Sequence, residues 1–255
     1  APNTLVPHFI HFKDYYKFDD IDPIKAIARP KLRELNELAT KIGDQQATTS
    51  HRGIHDPDTD RTIIGYMSYD GTNYQGHVRV VQPSGTTRSP TLTIGSEVDV
   101  SGDDAPWNLS EPLLGYDPVN NKVFAAAMVG TDSSDYLFKG YIGTVTGGTT
   151  NSISFAGSAT IHDPSTRTVQ ASLSYDVNQA KFVLFYTDRD DGNDLYYRYI
   201  TPGASSFSTA SAVEITSAEQ KHAGQSSIGG PAGKGVLLGT QAQDDNDYLR
   251  YITLH

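Results

Sequence analysis

The chain has 255 residues, with 23 Gly, 13 Pro, 15 Tyr and no Cys, and carries 30 acidic against 20 basic side chains for a net charge of −10. An extended nucleic-acid surface is excluded, because phosphate contacts need clustered Lys and Arg. Lack of cysteine removes disulfide staples and thiolate metal sites, and no apolar stretch approaches the roughly 20 residues of a membrane helix, so no membrane insertion is expected.

The first residues, Ala1-Pro2-Asn3, show no basic segment ahead of an apolar core, so no signal peptide is expected. Residues 1–29 form an N-terminal arm outside the repeats described below. Its run from Leu5 to Phe18 is rich in aromatics, and as a free tail it would expose an apolar strip that soluble proteins avoid. Phe9, Ile10, Phe12, Tyr15, Tyr16 and Phe18 are therefore expected to dock on a partner chain, the alternative being a strap across the chain's own domain. Residues 30–43 admit two readings. Leu32, Leu35, Leu38 and Ile42 are spaced for one face of a helix. Counted from the prolines, however, Pro30 lies 26 residues before Asp56 and Pro90 lies 27 before Asp117, which makes 30–43 an outer strand.

From there a pattern of about 57 residues occurs four times, anchored at Asp56, Asp117, Asp176 and Gly230 with separations of 61, 59 and 54. Such a period points to propellers, solenoids or arrays. Each copy predicts four strands. A short first strand ends at the anchor. The second is apolar: Thr62–Tyr66, Val123–Ala127, Phe182–Tyr186 and Val236–Leu238. The third alternates with period two, as half-buried strands do: His77–Val81, Lys139–Thr144, Tyr197–Thr201 and Leu249–Thr253. The fourth is Thr91–Val100, Ser152–Ile161 and Phe207–Ile215, with none visible in the last copy. The expected fold is all-β: a four-bladed β-propeller over residues 30–255. Its blades fall near 54–112, 113–169, 170–225 and 226–255, the last completed by residues 30–43, so that an N-terminal segment closes the ring.

In that topology the turns between second and third strands share one face, which gathers Asp70, Asp132, Asp135, Asp188, Asp190, Asp191, Asp194, Asp244, Asp245 and Asp247. Asp and Asn are what tight hairpins demand, so turn formation accounts for most of them. The alternative is a Ca²⁺ site at Asp188, Asp190, Asp191 and Asp194, or at Asp56–Asp60, although neither run has the closing Glu of an EF-hand. His51, His55, His162 and His222 read as surface polar residues. The sole tryptophan, Trp107, sits in the long connection 101–112 beside Asn108, Asp103 and Asp104, and Tyr74 ends the turn begun at Ser68. A ring in a polar loop can stack on a sugar while carboxylates and amides hold its hydroxyls. Packing between blades is the competing role. No Gly-x-Ser-x-Gly elbow, phosphate-cradling Gly loop or His-Glu-x-x-His helix occurs, which favours a non-enzymatic role over a small glycoside hydrolase.

The segment Gly143–Phe155, preceded by Gly115–Val123, resembles the repeat of tail-fibre and other virion surface proteins of bacteriophages, marine ones in particular. The likeness covers residues 54–255 at the level of the repeat and fits the second copy best. The first and fourth copies lack the Gly-Thr-Val-x-Gly segment. The resemblance implies a β-propeller located in the virion, binding a host surface or another virion protein, with a free carbohydrate-binding lectin as the alternative.

Overall fold

The computed structural model describes residues 46–69, 71–72, 74–86, 89–101, 112–130, 136–162, 168–188, 192, 194–216, 226–229, 235–241 and 249–254. Chain contacts separate two units: Ala1–Lys41 with Gly85–Thr91, and Ile42–Ser84 with Leu92–His255. The arm and the segment 30–43 lie outside the described residues.

The fold is all-β, and no helix occurs among the described residues. The first sheet holds β1 (Gln46–Asp56), β2 (Arg61–Tyr69), β3 (Tyr74–Thr86), β4 (Ser89–Ile94) and β5 (Val98–Asp99). The second holds β6 (Leu113–Asp117), β7 (Lys122–Gly130), β8 (Tyr136–Thr146) and β9 (Ser152–His162). The third holds β10 (Thr168–Asp176), β11 (Lys181–Asp188), β12 (Asp194–Pro202), β13 (Phe207–Thr209) and β14 (Val213–Thr216). The fourth holds β15 (Ser226–Gly229), β16 (Val236–Gln241) and β17 (Leu249–Leu254). Antiparallel pairing joins the first strand to the second and the second to the third in every sheet, as the repeat predicts.

The fourth strand departs from expectation in two copies. It is continuous only as β9, whose pairing with β8 shifts register twice, between Phe138 and Lys139 and between Tyr141 and Ile142. In the first copy it breaks at Gly95-Ser96-Glu97 into β4 and β5, and in the third into β13 and β14, both of which pair with β12. At the first break a Cβ on Gly95 would overlap the Asn151 carbonyl oxygen, so glycine is required where this backbone meets the connection between β8 and β9.

Successive sheets touch through their first strands, β1 beside β6, β6 beside β10, and β10 beside β15. Their faces follow from strand alternation. On β7, Val123, Ala125 and Ala127 join Ile63, Val78, Val80 and Val100 of the first sheet. The intervening Phe124, Ala126 and Met128 join Phe182, Leu184, Tyr186 and Ile200 of the third. On β11, Val183 and Phe185 turn the other way, toward Val236 of the fourth sheet. β7 and β11 are apolar along their middles because both of their faces are covered. At the middle of the second interface Phe124 and Phe182 stack at 5.0 Å, and Phe207 meets Phe124 edge-on at 5.2 Å. Gly115 makes room for this packing, since a Cβ there would run into the Phe182 ring.

The first hairpin of each of three copies has one geometry. Asp60, Asn121 and Ala180, each four residues after its anchor, have φ of 53°, 53° and 51°. That left-handed conformation suits Asp and Asn and strains Ala.

Candidate functional site

The anchor carboxylates are buried, and their oxygens are engaged in building turns. Asp56 Oδ1 accepts the Asp58 amide at 3.0 Å, and its Oδ2 accepts the Thr59 hydroxyl at 2.7 Å. Asp117 takes the Val119 amide at 3.0 Å and the Asn120 side-chain amide at 2.6 Å, while Asp176 takes the Asn178 amide at 2.9 Å. These are Asx turns, which explains why Asp recurs at this point in the sequence. The run Asp56–Asp60 is thus a closed turn with Asp56 already engaged.

A tyrosine precedes the anchor in the second and third copies, and it reaches back to the preceding copy. Tyr175 donates to Asp117 Oδ1 at 3.0 Å. Tyr116 has the Asp56 carboxylate beside its hydroxyl, which also donates to Asn121 Oδ1 at 3.2 Å. Burial, then the Asp56 carboxylate, pushes the Tyr116 hydroxyl up to about 12, and burial with Asp117 raises Tyr175 as well. The fourth copy has Gly229 in this place, so Asp176 is served instead by Tyr199 of its own sheet, at 3.2 Å.

Arg61 makes a second link between sheets. Its Nε donates to Asn151 Oδ1 at 2.6 Å and its Nη2 to the Gly148 carbonyl at 3.3 Å, while Nη1 bonds Thr59 O at 2.7 Å within its own turn.

The first sheet carries a connected group of ionisable side chains. Arg79 Nε donates to Tyr66 Oη at 3.0 Å, and Arg79 Nη2 donates to Glu97 Oε2 at 3.2 Å. The Tyr66 hydroxyl also donates to Glu97 Oε2. Burial first, and then Glu97, raises Tyr66 well above its ordinary range, so it remains a neutral donor. His77 Nε2 is hydrogen-bonded to Ser68 Oγ at 2.8 Å, and its Nδ1 faces Glu97 Oε1 at 3.8 Å. Ser68, His77 and Glu97 follow the order of a hydrolytic triad. Ser68 is nevertheless fully buried, at 0% exposure, so an external carbonyl has no approach to its oxygen.

The expected site residues divide into two groups. Asp103, Asp104, Trp107 and Asn108 lie outside the described residues, as do Asp190 and Asp191. Asp188 and Asp194 are register partners at the mouth of the β11–β12 hairpin. Asp188 Oδ2 lies 3.3 Å from His162 Nε2 on β9, a polar contact between the third and second sheets. His162 is therefore an inter-sheet residue and not the surface polar residue its sequence context implies. Among the described residues no group of three or more His, Asp or Glu side chains is placed to hold a metal ion.

Tyr74 is half-buried, and its register partner across the β2–β3 hairpin is Tyr69, with ring centroids 4.7 Å apart. Tyr69 was not singled out from sequence, although its place opposite Tyr74 in a hairpin offered the signal. The connection carrying Trp107 leaves the first sheet close by: Ser101 Oγ accepts the Gly76 amide at 2.6 Å, two residues along β3 from Tyr74.

No family model, curated protein or solved structure matches this chain.

Proposed function

We propose that the four sheets are successive blades of a β-propeller and that the chain is a non-enzymatic binding or structural component of a bacteriophage particle surface, such as a tail fibre. One observation carries the fold reading. The first strands lie side by side in chain order, and each middle sheet packs its two faces against the sheets before and after it. A propeller continues that pattern around an axis. The face of the first sheet bearing Tyr66, His77 and Arg79 then meets the last blade, completed by residues 30–43.

The virion reading rests on the resemblance of the second copy to phage surface repeats. It is supported by where the charged groups go: anchor carboxylates, Arg61 and Asp188 serve turns and inter-sheet links. On this reading the arm, through Phe9, Ile10, Phe12, Tyr15, Tyr16 and Phe18, docks on another virion protein. The other end of the function, ligand binding, is assigned to the hairpin tip at Tyr74 and the connection with Trp107. Calcium is given no role.

Two experiments test this. Deleting residues 1–45 removes the closing strand and prevents soluble folding, because an open ring leaves an unpaired edge; an unchanged melting temperature would refute closure. Deleting only residues 1–20 leaves a folded protein that is absent from purified particles by mass spectrometry, and wild-type copy number there would refute docking. Release of reducing sugar from polysaccharide by the intact chain would establish the glycosidase alternative.

A further inference from the structure

We infer that Tyr69 is a stacking platform for a neutral sugar ring, an inference that rests on the binding-module reading above. Among the residues whose burial is described the exposed large hydrophobics are Tyr69, Val119, Val177 and Val213, and Tyr69 is the aromatic one. Its ring is held in place from both sides. The hydroxyl donates to the Gly71 carbonyl at 2.8 Å, across a turn in which Gly71 adopts φ of 104°. Tyr74 backs the ring at 4.7 Å with a tilt of 35°.

This arrangement leaves a fixed apolar face at a hairpin tip where Gly71 and Thr72 are both exposed. A rigid aromatic face costs little conformational entropy on binding. The C–H face of a pyranose is its natural complement, flat and weakly polar. Charge narrows the class further. At −10 the chain repels sialylated, sulfated and phosphorylated glycans, which leaves neutral sugars.

The test uses the full chain on an array of neutral, sialylated and sulfated glycans, followed by calorimetric titration of the best neutral oligosaccharide. Tyr69→Ala is expected to weaken binding at least tenfold, and Tyr69→Phe to stay within about threefold because the ring remains. Val213→Ala, on the third sheet, is expected to bind as wild type. Circular dichroism checks that each variant is folded. If Tyr69→Ala is folded and binds the neutral glycan unchanged, the platform is refuted while the binding module stands. Selective retention of anionic glycans would overturn the ligand class. Attachment to host cells without retention of any glycan would overturn the sugar inference and leave the virion reading in place.

Discussion

Tyr186 and Arg198 of the third sheet occupy the same places in their copy as Tyr66 and Arg79 in the first. Leu184, the register partner of Arg198, corresponds likewise to Ile64, the partner of Arg79. Their surroundings differ. Tyr186 lies in an apolar core with Phe124, Phe182 and Met128, and Arg198 reaches out of the sheet to the Ile161 carbonyl on β9 at 2.5 Å. Tyr66 and Arg79 instead turn to Glu97 in their own copy. The repeat selects the residue type, and the neighbouring segment selects its partner. Where a preceding sheet supplies a carbonyl, arginine links two sheets. Where Glu97 stands, the same residue closes a network within one sheet.

The largest expected effect comes from the apolar side of this comparison. Phe182→Ala leaves a cavity between the Phe124 ring and Gly115 and should cost about 3–5 kcal/mol in denaturant titration. A cost below about 1 kcal/mol would mean that the interface is loosely packed. On the polar side, Arg79→Met strands Glu97 and should cost about 3 kcal/mol, at the low end for a buried pair because Glu97 is 19% exposed. Adding Glu97→Gln should recover part of that loss. If the double variant is as unstable as the sum of the singles, the two side chains do not act as a pair.

Smaller effects separate links between sheets from turns within them. Tyr175→Phe removes a hydrogen bond to a carboxylate and should cost about 2 kcal/mol. Ala180→Gly relieves left-handed strain at an exposed turn and should raise stability by about 1 kcal/mol; a destabilised variant would show that the turn is not strained. Alkaline pH gives the smallest effect. The Tyr116 hydroxyl titrates higher in the folded chain than its ordinary value of 10, so its contribution is complete below pH 10 and is lost as pH rises through about 12. Tyr116→Phe should flatten that part of the stability profile, and an unaltered slope would assign the alkaline loss to other groups.

Strands were legible because alternation and the recurring Asp are local signals. Val123 to Ala127 reads as a second strand from its apolar character alone, and Asp117-Pro118 reads as a turn. The breaks in the fourth strands were not legible, and the backbone that Gly95 meets there, at Asn151, is 56 residues away. The same limit hid the polar network: Arg79 and Glu97 are joined by the path of β4 and β5, and nothing local marks their meeting. Its one sequence signal was an arginine recurring on β3 and β12, 23 and 22 residues after the anchors Asp56 and Asp176. The acidic residues were read as one rim, whereas Asp188 answers to His162 across an interface. Trp107, the leading ligand candidate from sequence, lies outside the described residues, and the aromatic pair that the structure does place joins Tyr74 to Tyr69.

The tyrosine ahead of the second and third anchors has a consequence for how the copies are joined. The second and third copies each carry a plug, Tyr116 or Tyr175, and each of the first two copies carries the matching socket, Asp56 or Asp117. A unit duplicated from the second copy brings both halves with it, so it joins the chain at either neighbour without any new complementary change. Gly229 lacks the plug, and His55 occupies that place in the first copy. The coupling therefore has a direction, each tyrosine reaching back to the carboxylate of the copy before it.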